Sequence, residues 1–199
     1  MSSASPALDP SDSQLARQSQ AGDRDALEEL LRRHRPRLVL WMGTLIWDQD
    51  EAESLAQEAL TRAMTGLGRF DASQPFAAWL HGIGLNLCRN HLRSLSRHAV
   101  TTGDAALQQV AAKSGRRLGV LSGILRGELE QQTLAAIQAL PLALREAFVL
   151  HELEDFDYDE MGRMCGVSAA TLRVRVHRAK ALLRDRLGSL VDTWLRGAK

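Results

Sequence analysis

Apolar residues recur every three or four positions through most of this chain, the period of helices that bury one face. Leu27, Leu30 and Leu31 open the first such run, and the Asp25/Glu28 pair predicts its capped start near residue 25. Pro36 should kink or restart that helix, with a second apolar helix carrying Leu38, Trp41, Leu45 and Ile46. Asp50 and Glu53 predict another start, after which Ala52, Leu55, Ala56, Ala59, Leu60 and Ala63 keep helical period. The other side of that helix is polar, with Glu51, Ser54, Gln57, Glu58 and Arg62. GLGRFDASQ breaks the pattern as a loop. Pro75 then suits the first turn of a helix whose inner face is Phe76, Trp79, Leu80, Ile83, Leu87 and Leu92. Cations gather toward its end at Arg89, Arg93, Arg97 and His98.

The period weakens between about residues 99 and 127, where Gly, Ser and small residues mix as in a linker, with a short helix or a role for Arg116 and Arg117 left open. It returns with Leu129, Leu134, Ile137 and Leu140, and Pro141 opens a further helix over LPLALREAFVLHELE. Asp157 followed by Glu160 predicts a capping box for a short helix over Tyr158, Met161, Met164 and Cys165. Gly166 can end that helix in the left-handed conformation, and Gly162 permits close approach of the next helix. Ser168 is the expected N-cap of the last helix, whose stripe is Leu172, Val176, Ala179, Leu183 and Leu187. Arg173, His177, Lys180 and Arg184 follow one flank of it, Arg175 and Arg178 another. Two short helices and a tight turn make a helix-turn-helix with a cationic outer face that suits a polyanion. Cationic flanks of this kind also commonly face only solvent.

Composition narrows the class. Across 199 residues, 45% hydrophobic and 25% charged is ordinary globular content, and 5% aromatics favours helix over sheet, so the expected fold is all-α. A net charge of +1 means that any nucleic-acid contact must use local patches. Cys88 and Cys165 lie far apart on apolar helix faces, which suits reduced core thiols and a cytoplasmic setting. His81, Cys88 and His91 could share one side of a helix, but they lack a fourth ligand and read as packing and surface groups, so no metal or cofactor is expected. MSSASPALDPSDSQ lacks the basic start and apolar segment of a signal peptide and reads as a disordered tail. No apolar run approaches the roughly 20 residues that span a bilayer, so membrane insertion is not expected. Gly-rich phosphate loops and framed catalytic carboxylates are missing, so neither an enzyme nor a small-molecule substrate is expected.

Taken together, these residues resemble bacterial RNA polymerase sigma factors of the extracytoplasmic-function group, the small kind with only regions 2 and 4. LPLALREAFVLHELEDFDYDEMGRMCGVSAATLRVRVHRAKALLRDRL is similar to region 4, including the LP and RE pairs, the GVS turn, Thr171, Arg175 and the Arg178-Ala179 pair. AQEALTRAM resembles the helix that grips polymerase, and FAAWLHGIGLNLCRNHLR resembles the promoter-reading helix. The resemblance implies two helical domains, region 2 over 15–98 and region 4 over 128–192, joined by the linker 99–127, with tails at 1–14 and 193–199.

It further implies that region 2 docks on core RNA polymerase and opens the minus-10 element, while region 4 reads the minus-35 element of promoter DNA. An anti-sigma factor is the expected regulator. Ser168, Thr171, Arg173, Arg175, Arg178 and Lys180 are then the candidates for the upstream duplex, with Arg173 and Arg175 foremost. Val174, where relatives often carry a polar residue, could pack on a thymine methyl. Asn86 and the loop from Gly68 to Gln74 are placed for bases of the separated strand, and Arg89, Arg93 and Arg97 for its phosphates. Glu51, Leu55, Gln57 and Glu58 are the polymerase-binding candidates, although Leu55 also suits simple core packing. Gly82, Gly84 and Leu85 stand where relatives tend to carry bulkier or basic groups, Asn90 where Asp is usual, and Ser54 where an acidic residue is usual. Each glycine weakens the helix by about 1 kcal/mol relative to Ala. Three readings follow, in order: a sigma factor, a polymerase-independent helix-turn-helix regulator, and a sigma-like decoy for an anti-sigma factor.

Overall fold

Two acidic doublets set the starts of the first long helices, each from its first member. In DRD, Asp23 accepts from the amides of Asp25 and Ala26 and caps α2 (Arg24–Leu45); in DQD, Asp48 accepts from Asp50 and Glu51 and caps α3 (Gln49–Gly66). Both caps lie two residues upstream of the expected ones, Asp25 and Asp50, because the upstream carboxylate can fold back onto the free amides of the first turn. The computed structural model describes residues 10–46, 48–102 and 128–197. No strand occurs among them, as an all-α fold requires.

Part of the predicted N-terminal tail is structured. Ser11 and Gln14 form a capping box that opens α1 (Asp12–Gln20), and Leu15 and Ala16 are buried. Asp12 is tied to α2 through His34 at 2.7 Å. Pro36 does not split α2, which is continuous through it. The proline is exposed, so the carbonyl it leaves unpaired one turn earlier can bond to water, while Leu30 and Leu38 on either side are fully buried and hold one axis. A 3-10 turn, Leu67–Arg69, follows α3 and leads into the loop before α4 (Phe76–Thr102). That helix continues past residue 98 through Thr102; the rest of the expected linker, with Arg116 and Arg117, lies outside the described residues.

The second module contains α5 (Glu128–Gln138), α6 (Leu142–Glu152), α7 (Tyr158–Cys165) and α8 (Ala169–Gly197). The helix-turn-helix forms as its sequence signals predict. Asp157 and Glu160 complete the capping box of α7, and Gly166 turns the chain at φ 69. At Gly162 a Cβ would lie 3.1 Å from the Val167 carbonyl, so the missing side chain makes room for the turn itself rather than for the next helix. Helix α8 runs into the expected C-terminal tail as far as Gly197, since no proline interrupts it.

The modules are not held apart by their linker. Helix α4 packs on α7, and α2 on α5 and α6, so that one buried apolar cluster extends from Leu15 to Leu183. Each fully buried leucine, such as Leu80, Leu85 or Leu150, contributes about 1.5–3 kcal/mol relative to an exposed one.

Candidate nucleic-acid interface

Burial of one stripe fixes what α8 displays. Leu172, Val176, Ala179 and Leu183 are buried, and Ser168, Thr171, Arg173, Val174, Arg178 and Lys180 are exposed as a consequence of helical period. The Thr171 amide donates to Ser168 Oγ at 3.2 Å, so this serine caps the helix and still faces solvent. The Arg173 guanidinium sits 5.0 Å from the centroid of the Tyr158 ring, which in turn packs on His151. A ring face steadies that cation without neutralising it. Lys180 forms a 2.8 Å ion pair with Glu152. Arg175 is half-buried and its charge is felt at the Cys165 thiol, so the two foremost arginines are not equivalent. Val174, 51% exposed, gives this face an apolar spot between them.

The first module supplies a cleft of about 600 Å³. One wall is Arg69, Phe70, Asp71, Gln74 and Pro75; the floor is α4 from Ala78 to Asn86. The Ser73 amide donates to Asp71 at 2.9 Å, which stiffens the loop and holds the Asp71 carboxyl below its usual range. Phe70 packs on Trp79 at 4.8 Å beneath it. Exposed Asn86 lies at the rim, and Arg93 and Arg97 continue along α4 on the surface.

Arg89 is placed differently from those two. Its Nε donates to Glu146 Oε1 at 2.9 Å and its Nη2 to Oε2 at 2.7 Å, and its side chain is only 19% exposed. The paired carboxylate raises the Arg89 pKa further. Three residues of the second module, Glu160, Arg163 and Met164, close the far side of the cleft.

The polymerase candidates on α3 divide in the same way. Gln57 and Glu58 are exposed, and Glu58 pairs with Arg62 one turn on. Glu51 lies 3.1 Å from His91 on α4. Leu55 is only 8% exposed and packs inward, so its contribution to the outer face is to seat its polar neighbours.

Sequence reasoning noted Glu146 only within the RE pair of the region 4 resemblance, and did not single out Glu154 or Arg37. Arg145 and Glu146, the RE pair, both reach across to the first module: Arg145 Nη1 donates to the Leu45 carbonyl at 2.9 Å while Glu146 takes Arg89. Burial lowers the Arg145 pKa to about 10, still cationic at neutral pH. A legible signal existed, since both residues sit one turn before Val149 and Leu150 and so share the buried stripe of α6. At the other end of the interface Arg37 donates to Glu154 at 2.6 Å. His81, 2% exposed, lies 3.2 Å from the same carboxylate and packs between Trp41 and Phe156. With His91 at Glu51 and Cys88 in the core, these three residues do not converge, and no metal-ligand group occurs among the described residues. Burial pushes the Cys88 thiol up to about 12.

Residues 30–98 match the model for sigma-70 region 2 and residues 130–183 that for sigma-70, region 4. The chain is 31% identical to the RNA polymerase sigma factor CarQ of Myxococcus xanthus, over 85% of this chain and 93% of CarQ. It is 30% identical to the ECF RNA polymerase sigma factor SigM of Mycobacterium tuberculosis, over 90% of this chain and 86% of SigM. Among solved structures it is similar to the sigma factor RpoE of Bartonella quintana, in complex with the anti-sigma factor NepR, with TM-score 0.60, 26% identity, and coverage of 81% of this chain and 96% of that one. CnrH, solved with the cytosolic domain of CnrY, shares the fold at TM-score 0.63 and 24% identity, covering 92% and 97%. The chain belongs to the sigma-70 family, among the extracytoplasmic-function RNA polymerase sigma factors.

Proposed function

We propose that this protein joins core RNA polymerase and directs promoter-specific initiation, with α8 reading the minus-35 duplex and the α4 cleft holding the opened minus-10 strand. The observation that carries this reading is the presence, in one chain and in family order, of two differently shaped cationic sites. One is a capped helix that exposes Ser168, Thr171, Arg173 and Val174, suited to a major groove. The other is a loop-walled cleft with Asn86 at its rim and arginines along the same helix, suited to unstacked bases and a single backbone.

Roles follow from exposure. Arg173, with its charge displayed, reads base edges; Arg178 and Lys180 hold phosphates; Arg93 and Arg97 track the separated strand, joined by Arg89 once it leaves Glu146. Glu51, Gln57 and Glu58 meet polymerase, seated by Leu55. A sigma factor similar to this chain is solved with an anti-sigma factor, which supports the same kind of control here.

Run-off transcription with purified core polymerase tests the reading. A transcript from a cognate promoter is expected. Tight core binding without a transcript would favour the decoy, and specific duplex binding without polymerase would favour an independent regulator.

A further inference from the structure

We infer that the second module is an intramolecular competitor for the strand-binding face of the first, with Glu146 occupying on Arg89 the place of a backbone phosphate. This inference rests on the reading of Arg89 and the α4 cleft as strand contacts.

The geometry is that of a substitute ligand. A carboxylate that accepts two parallel bonds from one guanidinium, at 2.9 and 2.7 Å, presents the same paired anionic oxygens as a phosphodiester. Glu146 is 4% exposed and Arg89 19%, so the carboxylate is buried while the guanidinium keeps an edge toward solvent. Earlier along α4, between Ala78 and Asn86, the cleft is closed on one side by Glu160, Arg163 and Met164 of α7. A base entering from that side meets protein, and a phosphate arriving at Arg89 must displace Glu146. Closure and strand binding therefore exclude each other on the same few residues.

Helix α7 meets α4 at Gly82. A Cβ there would lie 3.7 Å from Met164 Cγ, ordinary contact, so the two helices already touch at this position. A second anchor secures the far end: Arg37 donates to Glu154 at 2.6 Å and to the Leu153 carbonyl at 3.1 Å, next to the His81 and Phe156 contact. Because both modules belong to one chain, closure is intramolecular and acts at an effective concentration on the order of millimolar. The apparent affinity for a strand then falls in proportion to the open fraction.

Binding of a fluorescein-labelled oligodeoxythymidine of about 15 nucleotides to the full chain tests this, since phosphate contacts do not depend on sequence. Energy transfer between dyes at Met64→Cys and Leu182→Cys, both exposed positions on opposite modules, reports closure in the same samples. Glu146→Gln is expected to lower the closed population and tighten strand binding about tenfold. Glu154→Gln, at the other anchor, carries the same expectation and keeps the test decisive if the first variant folds poorly. Glu29→Gln, which removes a charge paired only within α2, should change neither reading. Opening without tighter binding, or unchanged closure in both folded variants, overturns the inference. Run-off transcription separates it from the reading beneath: variants that transcribe but bind the strand no better than wild type overturn the competition alone. A wild-type chain that gives no transcript with core polymerase overturns the reading on which it rests.

Discussion

Arg89 and Glu146, 57 residues apart in the sequence, meet through two hydrogen bonds of 2.9 and 2.7 Å where α4 passes the second module. The arginine that the proposed function assigns to a strand phosphate is thus held by a carboxylate of the same chain. Breaking a buried pair by removing one partner commonly costs about 3–5 kcal/mol, because the other charge is left without compensation. Glu146→Ala should therefore lower the stability of the closed form by more than Glu154→Ala, whose partner Arg37 is 55% exposed and can rehydrate. Urea denaturation monitored by tryptophan fluorescence measures the difference.

The two glycines of α4 should respond to alanine in opposite directions. At Gly84 a Cβ would lie 3.0 Å from Trp41 and 3.4 Å from Leu38 and Met42, all fully buried and unable to yield. Overpacking of about 1–3 kcal/mol then outweighs the gain of about 1 kcal/mol in helix propensity, and Gly84→Ala should lower Tm. At Gly82 the nearest atom is 3.7 Å away, so Gly82→Ala keeps the propensity gain and should raise Tm. Calorimetry on both variants distinguishes a packing glycine from one that merely loosens the helix.

Arg173→Ala should lose about 1–3 kcal/mol of discrimination between the cognate upstream element and a scrambled one, read by competition between promoter fragments for the holoenzyme. Arg175 is half-buried, and its replacement should affect promoter choice less. Loss of Arg178 should weaken all duplexes alike and reduce the salt dependence of binding.

Leu55 and Glu58 separate core packing from docking. Leu55→Ala should cost about 2–5 kcal/mol of stability, as large-to-small core changes do. Glu58→Ala should leave thermal unfolding within about 0.5 kcal/mol of wild type, as exposed sites do, while weakening co-purification with core polymerase.

The Cys88 thiol, held at about 12 against an ordinary 9.0, gives stability a defined pH dependence. Its folded pKa is raised because burial disfavours the thiolate, so the neutral form stabilises the fold fully below pH 9. That contribution is lost progressively as pH rises from 9 toward 12. Unfolding measured across that window should become easier, and Cys88→Ala should flatten the slope. At pH 8 the native thiol should resist alkylation until denaturant is added.

The capping box of Asp157 and Glu160, the left-handed Gly166, the Ser168 cap and the buried stripe of α8 were all legible in the sequence, because each depends on residues within a turn or two. The same local logic placed Arg173 and Val174 outward. It misjudged the α2 and α3 caps by one step of an acidic doublet, and it split α2 at Pro36 because propensity does not report the packing on either side. Helical period also could not tell Arg89 from Arg93, since both lie on the polar side of one helix. Only the approach of α6 and α7 decided that the first is engaged and the second displayed. The physical reason is range: caps and stripes are fixed by neighbours in the chain, whereas the partner of a charge is fixed by whichever distant surface excludes water from it.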